Sequence, residues 1–184
     1  MKTSVAFLRG MNVGGHRVTN AELRSIFTKQ LKFTGVATYR ASGNVIFQHD
    51  EETEPAALQQ HIEAELEDAL GYAVPTFVRG ADELSKIAAR APFPADSVAG
   101  SKGALQVTML PKQPSARARA RALALSTNAD RLALFGRELY WLPSGGVLDT
   151  QLDMKALERA LGTGTMRTLG TLQGIARKCG AASS

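Results

Sequence analysis

The sequence has little cysteine and no long apolar segment. Cys179 is the only cysteine among 184 residues, which excludes a disulfide framework within the chain. No apolar run approaches the roughly 20 residues of a membrane-spanning helix, and the amino terminus leads into a strand-like segment rather than a signal peptide. A chain of this length buries roughly 70% of its unfolded surface without covalent cross-links. The sequence therefore predicts a soluble, cytoplasmic protein that makes no contact with a membrane.

Histidine and aromatic residues are also sparse. The three histidines, His16, His49 and His61, lack the paired spacing of metal ligands, so we expect neither a metal nor another cofactor. Aromatic residues make up 6% of the chain, and the predicted strand at the start of the second half has none. Because RNA-recognition sheets stack bases on aromatic side chains, this strand does not resemble such a sheet.

Positive charge is concentrated in the second half of the chain. The formal net charge is +5: residues 1–92 carry 10 basic and 11 acidic side chains (−1), and residues 93–184 carry 12 and 6 (+6). Arg117, Arg119 and Arg121 are the centre of this excess, but on a helix Arg119 points away from the other two, so they form no continuous stripe. A solvated helix is the preferred interpretation, and a nucleic-acid-binding module that uses the basic half is the alternative.

The first 80 residues predict the order strand, helix, strand, strand, helix, strand. Thr19 and Glu22 have the spacing of a capping box, and the apolar residues that follow have helical period, which predicts a helix over 20–31. Pro55 stands where a first-turn proline is tolerated, and apolar residues recur every four positions until Gly71. The second predicted helix is 55–70, and the predicted strands are 5–8, 36–39, 44–47 and 76–78.

The second half repeats this order of elements without repeating the amino acids. Ser115 caps a predicted helix over 116–125, and Asp153 opens another helix that Gly162 ends. Gly136 occupies the first position of a two-residue hairpin loop, as a type II′ turn requires. The predicted strands here are 105–109, 132–135 and 138–142.

These two patterns define the expected fold and its boundaries. The fold class is α+β, with two ferredoxin-like (α-β plait, βαββαβ) subdomains in tandem, each with an antiparallel sheet. We expect the first subdomain at residues 1–80 and the second, with a carboxy-terminal helix, at residues 103–184. A linker helix and a segment with two prolines and two glycines occupy residues 81–102.

A glycine-rich loop between the first strand and the first helix is the principal candidate site. It lacks the lysine and hydroxyl residue of a phosphate-binding P-loop, because His16 and Arg17 stand at those positions, and it does not match G-x-G-x-x-G. The chemistry that remains is an anion nest of backbone amides at Gly14 and Gly15, flanked by Arg9 and Arg17, with a polar contact from Asn12. The alternative is that the glycines only permit a tight turn. The loop residues of the predicted site are Arg9, Asn12, Gly14, Gly15 and Arg17.

The hairpin between the second and third strands is the second candidate. In a βαββαβ unit the first and third strands are antiparallel neighbours, so the third strand starts where the first one ends. This places Tyr39, Ser42 and Asn44 near the glycine loop. The alternative is that serine, glycine and asparagine simply form a turn here.

Several segments together resemble a bacterial family known as domain of unknown function 1697. They are LRGMNVGG at 8–15, AELR at 21–24, TYRASGNVIF at 38–47, APF at 91–93 and TMRT at 165–168. The resemblance implies two α-β plait subdomains and no assigned activity. It also implies that the family's recurring polar positions fall, in this sequence, on eight residues: Arg9, Asn12, Gly14, Gly15, Tyr39, Ser42, Asn44 and Arg167. The sequence departs from the family at two places: His16, where lysine is usual, and residues 168–170, where Asn-Trp-Asn is usual. These departures remove the case for His16 as a general base.

The preferred function is binding of a small anionic, phosphate-bearing ligand by the loop, the hairpin and Arg167. Enzymatic activity stays open, because Ser42, Tyr39 and His16 have no identifiable activating partner. Nucleic-acid binding by the basic half is one alternative. A structural or oligomer-forming protein is another, because glycines at 170 and 174, with Leu172 and Ile175, would let a carboxy-terminal helix pack closely on a neighbour.

Overall fold

The computed structural model of the chain describes residues 1–11, 17–40 and 43–181. Two compact units are present: Met1–Ser85 together with Ile175–Ser184, and Lys86–Gly174. Each unit contains one four-stranded antiparallel sheet. Among the described residues, no helix is both long and apolar enough to cross a membrane.

The elements of the first sheet and its helices follow the predicted order. They are β1 (Lys2–Leu8), α1 (Asn20–Ser25) continued by a π-helical turn (Ile26–Gln30), β2 (Thr34–Thr38), β3 (Asn44–His49), α2 (Pro55–Leu70) and β4 (Thr76–Gly80). The segment after β4 is helical and contains α3 (Ala81–Ala89) and α4 (Ala95–Gly100).

The second set repeats the order. It consists of β5 (Gln106–Met109), α5 (Ala116–Leu123), β6 (Asp130–Phe135), β7 (Glu138–Pro143), a 3₁₀ turn (Val147–Asp149), α6 (Met154–Leu161), β8 (Thr165–Thr168) and α7 (Leu169–Ala181).

Sheet topology confirms the predicted fold class. The strand orders are β2-β3-β1-β4 and β6-β7-β5-β8, so the first and third strands of each βαββαβ set are the central pair. Every pairing is antiparallel, and Phe7 on β1 lies opposite Asn44 on β3. The repeat that the sequence shows as a pattern of elements is therefore a repeat of topology.

The core of the first unit lies between one face of its sheet and the helices α1 and α2. The four-residue period of α2 buries Leu58, Ile62 and Leu66 on one side of that helix, since residues four apart share a helix face. Phe47 of β3 stacks on Phe33 with ring centroids 4.6 Å apart. Beyond them, the core contains residues from both sheet and helices: Ala6, Leu8, Leu23, Phe27 and Val45.

The core of the second unit is centred on Trp141 of β7, which is buried. Leu157 and Leu161 of α6 pack in the same cluster, as does Ala122 of α5. Gly136 has a φ of 57°, so glycine serves the tight β6–β7 hairpin in the way that the sequence predicts.

One helix differs in detail from its prediction. The predicted helix over 20–31 is α-helical only to Ser25 and continues as a π turn, in which the Leu31 amide donates to the Ile26 carbonyl at 3.1 Å. A π turn adds one residue per turn, and here the neighbouring residues Ile26 and Phe27 are both buried. Apolar spacing alone predicts the helix but not this widening.

Candidate functional site

The nine predicted site residues fall into two groups. Four of them lie outside the described residues: Asn12, Gly14, Gly15 and Ser42. The other five are described: Arg9, Arg17, Tyr39 and Asn44 in the first unit, and Arg167 in the second.

The end of β1 and the start of β3 are directly joined. The Leu8 amide donates a hydrogen bond of 2.8 Å to the Gly43 carbonyl, immediately beyond the Phe7–Asn44 pair. The Arg9 amide donates to the Pro75 carbonyl at 2.9 Å, which fixes the start of the loop on the side of β4. The chain after β1 and the β2–β3 hairpin therefore leave the sheet at the same end.

Asn44 closes the hairpin from inside. Its side-chain amide donates to the Tyr39 carbonyl at 3.0 Å, and the Tyr39 amide donates to the Asn44 carbonyl, also at 3.0 Å. The residue is 1% exposed, so the side chain braces the hairpin rather than forming its surface. Gly43 has a φ of 67°, and a Cβ placed there would lie 3.0 Å from the Leu8 Cβ. Asparagine and glycine together let the hairpin approach β1 closely.

Arg40 belongs to the hairpin but is not among the site residues that the sequence predicts. It is exposed and has a φ of 58°, a left-handed conformation that is uncommon outside glycine. Its carbonyl accepts a 3.1 Å hydrogen bond from the Asn20 side-chain amide, and its guanidinium carbon lies 5.8 Å from the Tyr39 ring centroid. The available signal was a cationic residue next to the small residues of a hairpin loop.

The Asn20–Arg40 bond brings the start of α1 beside the hairpin. The capping box is formed as predicted: the Glu22 amide donates to Thr19 Oγ1 at 3.2 Å, and the Glu22 carboxylate accepts from the Thr19 amide at 2.7 Å. This hydrogen bond to the Thr19 amide, followed by one to its hydroxyl, lowers the pKa of Glu22. The helix start therefore already holds a carboxylate, and its Thr19 amide already has an acceptor.

Basic side chains surround this end of the sheet. Arg24 donates to Thr38 Oγ1 at 3.0 Å, and Lys178 donates to the Thr38 carbonyl at 3.3 Å. Arg40 follows two residues later, and Arg17 is exposed two residues before the helix cap. These cations would attract an anion to this end of the sheet.

Arg167 is held within the second unit. One guanidinium nitrogen, Nη1, donates to Thr165 Oγ1 at 2.9 Å and to the Met166 carbonyl at 2.8 Å. Desolvation by burial lowers the pKa of Arg167 to about 10. A pKa of about 10 leaves the guanidinium charged at neutral pH, and these two hydrogen bonds of Nη1 are made within its own strand.

A buried serine–histidine pair joins β1 to β3. Ser4 Oγ and His49 Nε2 are 2.9 Å apart, and His49 Nδ1 lies 2.9 Å from the Asp50 carbonyl oxygen. Because a carbonyl oxygen only accepts, Nδ1 carries the proton and Nε2 of the neutral ring accepts from Ser4. Both side chains are buried, and His49 packs against Phe33 and Phe47, so the pair links two strands inside the unit. Within the described part of the chain, no group of three or more His, Cys, Asp or Glu residues is arranged to hold a metal ion.

The residues predicted for nucleic-acid binding are exposed, whereas the apolar residues predicted for self-association are buried. Arg117, Arg119 and Arg121 are all exposed, and the Arg119 side chain donates to the Leu134 carbonyl of β6. Leu172 and Ile175 of α7 are fully buried within the chain. The apolar residues that were expected to receive a neighbouring copy are therefore already covered.

Comparisons with known proteins address the fold and the family. The chain matches a solved structure described as conserved bacterial protein SP0830 from Streptococcus pneumoniae, with a TM-score of 0.73 and 17% sequence identity. That match covers 98% of this chain and 99% of the other, and it indicates a shared fold. No match was found among curated proteins. The model of a family described as protein of unknown function (DUF1697) matches residues 1–140, and this chain therefore belongs to that family.

Proposed function

We propose that this protein binds a small anionic, phosphate-bearing ligand at the end of the first sheet from which the loop after β1 and the β2–β3 hairpin emerge. The observation that carries the proposal is the Leu8–Gly43 hydrogen bond, because it ties the two predicted ligand-binding segments to one another. Arg9 and Arg17 would neutralise the ligand's charge, with loop amides at Gly14 and Gly15 and polar groups of Asn12 and Ser42 as further donors.

The described residues support different roles for different members of the predicted site. Asn44 acts as a positioning residue, since its amide braces the hairpin through the Tyr39 carbonyl. Arg40 joins Arg9 and Arg17 as a source of positive charge, and guanidinium groups pair with phosphate oxygens in a bidentate manner. Arg167 enters the proposal only through the family resemblance.

The backbone of Arg40 adds support of another kind. A non-glycine residue in the left-handed region costs about 1–2 kcal/mol, and such strain concentrates at functional sites. Here the strained conformation is held by the Asn20 side chain and presents an exposed cation beside Tyr39. A glycine would adopt the same φ without strain but would supply no charge.

Titration calorimetry with pyrophosphate tests this proposal on the full chain. Hydrogen bonds to charged groups contribute about 1.5–3 kcal/mol, so Arg9→Gln or Arg40→Gln should weaken binding roughly tenfold or more. Arg117→Gln, an exposed arginine on α5, is the matched control and should bind pyrophosphate as the wild type does. Equal affinity in all four proteins would contradict the proposal.

Nucleic-acid binding remains the second candidate, because α5 presents Arg117 and Arg121 and contains no acidic residue. Phosphate contacts by several such residues would make oligonucleotide affinity fall steeply with salt. In that case Arg117→Gln would reduce oligonucleotide affinity and Arg9→Gln would not. Absence of oligonucleotide binding at low salt would remove this candidate.

A further inference from the structure

A cleft of about 830 Å³ opens in the second unit beside the start of β6. Its walls come from the α5–β6 connection and from the segment between β7 and α6. Three aspartates line it, Asp130, Asp149 and Asp153, and none of the described residues that line it is lysine, arginine or histidine. This acidic concavity lies in the half of the sequence that carries a net charge of +6, from 12 basic and 6 acidic residues.

Asp130 is the built feature of the cleft. It is 5% exposed, and its Oδ1 accepts two hydrogen bonds of 2.8 Å, from Trp141 Nε1 and from Thr150 Oγ1. Thr150 Oγ1 is itself fixed, because it accepts from the Leu152 amide at 3.0 Å. The carboxylate is therefore held in one orientation by partners 11 and 20 residues away in the sequence.

The second carboxylate oxygen of Asp130, Oδ2, accepts no hydrogen bond from a described residue. Among the described residues no side-chain oxygen or nitrogen is both fully enclosed and without a hydrogen-bond partner, so Oδ2 keeps some access to solvent. Asp130 lines the cleft, and since Oδ1 is occupied by two donors we infer that Oδ2 is the oxygen that faces it. Because Asp130 is 5% exposed, Oδ2 keeps little contact with water, and a cationic donor that enters the cleft would form a charge-assisted hydrogen bond with it.

The β7–α6 side of the cleft is braced by backbone contacts. The Ser144 amide donates to the Ala129 carbonyl at 2.7 Å, and the Lys102 amide donates to the Ser144 carbonyl at 3.1 Å. A Cβ at Gly103 would lie only 2.1 Å from the Gly145 carbonyl oxygen, so two backbone segments touch here. A wall fixed in this manner lowers the ordering cost of binding.

We propose that this cleft binds a small organic cation through a primary ammonium group, with Asp130 Oδ2 as the buried acceptor. Since Oδ1 is saturated, Asp130 offers one oxygen, which suits an ammonium donor better than the two-point geometry of a guanidinium. Asp153 already accepts from the Ala156 amide, and its carboxylate lies 3.9 Å from the Arg159 guanidinium. The exposed carboxylate of Asp149 also lines the cleft and would attract a second positive group on the same ligand. A diamine is the simplest molecule that meets both requirements.

Amide chemical shifts of the full ¹⁵N-labelled chain, titrated with 1,4-diaminobutane, test this inference. The expected result is saturable shifts at Ser144, Gly146 and Thr150, none with 1,4-butanediol, which has the same length and no charge. Asp130→Asn should weaken diamine binding roughly 10- to 100-fold, because it removes the charge and places an amide in the cleft. Its folding is checked by the dispersion of the same spectra.

An exposed variant keeps the inference testable if Asp130→Asn does not fold. Asp149→Asn should weaken binding by roughly two- to fivefold, as expected for an exposed charge pair, whereas Asp96→Asn on α4 should leave it unchanged. Equal shifts with the diol, equal affinity of the Asp149 and Asp96 variants, or shifts confined to other surfaces would overturn the proposal. Displacement of the diamine by micromolar calcium would replace it with a metal site.

Discussion

Substitution of Gly43 by alanine is the sharpest probe of the contact between β1 and the hairpin. At a φ of 67° the left-handed conformation costs an alanine about 1–2 kcal/mol. Its Cβ would also lie 3.0 Å from the Leu8 Cβ and 3.3 Å from the Leu8 carbonyl oxygen, closer than normal packing allows. Overpacking of this kind adds about 1–3 kcal/mol, so the total destabilisation is about 2–5 kcal/mol.

Gly71→Ala is the matched control for this variant. Gly71 has a φ of 78° at the end of α2, and a Cβ there would meet nothing within 4 Å. In both variants alanine takes a left-handed conformation, and in both the unfolded chain loses the freedom of a glycine. The difference between their free energies of unfolding therefore isolates the close approach to Leu8.

Urea unfolding followed by far-UV circular dichroism measures that difference. Circular dichroism is preferable to fluorescence because Trp141, the only tryptophan, belongs to the other unit. Gly43→Ala should be less stable than Gly71→Ala by about 1–3 kcal/mol, which corresponds to a melting temperature lower by about 2–4 °C per kcal/mol. Equal stabilities would refute the reasoning, since they would mean that the hairpin does not press against β1.

Three further predictions concern buried polar groups. Burial lowers the pKa of His49, so the protein should lose stability as the pH falls below the ordinary histidine value of 6.5. Urea midpoints measured from pH 8 to 5 should show this loss, and His49→Gln should reduce it. The same pH dependence in the wild type and the variant would contradict this prediction. Trp141→Phe removes a donor to Asp130 Oδ1 and should cost about 1.5–3 kcal/mol in urea unfolding, and a neutral effect would show that the bond is dispensable. Burial raises the pKa of the Cys179 thiol, so Ellman's reagent should label it only as the protein unfolds; rapid labelling of the native protein would count against this burial.

Local sequence signals predicted most of the fold because they act within a few residues. The Thr19–Glu22 capping box, the first-turn Pro55 and the αL Gly71 are all observed where the sequence predicts them. The same holds for the glycine of the β6–β7 hairpin. The π turn could not be predicted, because apolar spacing in the helix does not distinguish four-residue from five-residue hydrogen bonding.

The candidate site was predictable in topology but not in side-chain detail. Antiparallel pairing of β1 with β3 follows from the order of elements, and it brings Arg9 and the hairpin to one end of the sheet. The inward turn of Asn44 and the left-handed Arg40 depend on the backbone of the folded hairpin, which composition does not specify. They are visible only once the chain is folded.

Asp130 shows the same limit more strongly. In the sequence it is a single acid between Ala129 and Arg131, with no neighbouring motif. Its partners, Trp141 and Thr150, are distant in the chain, and only the fold of the second unit brings them together around one carboxylate oxygen. The charge balance of the basic half likewise conceals a local acidic concavity.

The central claim is that the loop after β1 and the β2–β3 hairpin hold a phosphate-bearing ligand, and a structure of the full chain with pyrophosphate tests it most directly. The predicted result is pyrophosphate in contact with the Arg9 guanidinium and with residues 39–44. Pyrophosphate bound only to Arg117 and Arg121 of α5, or no bound pyrophosphate at a concentration that saturates the calorimetric titration, would contradict it.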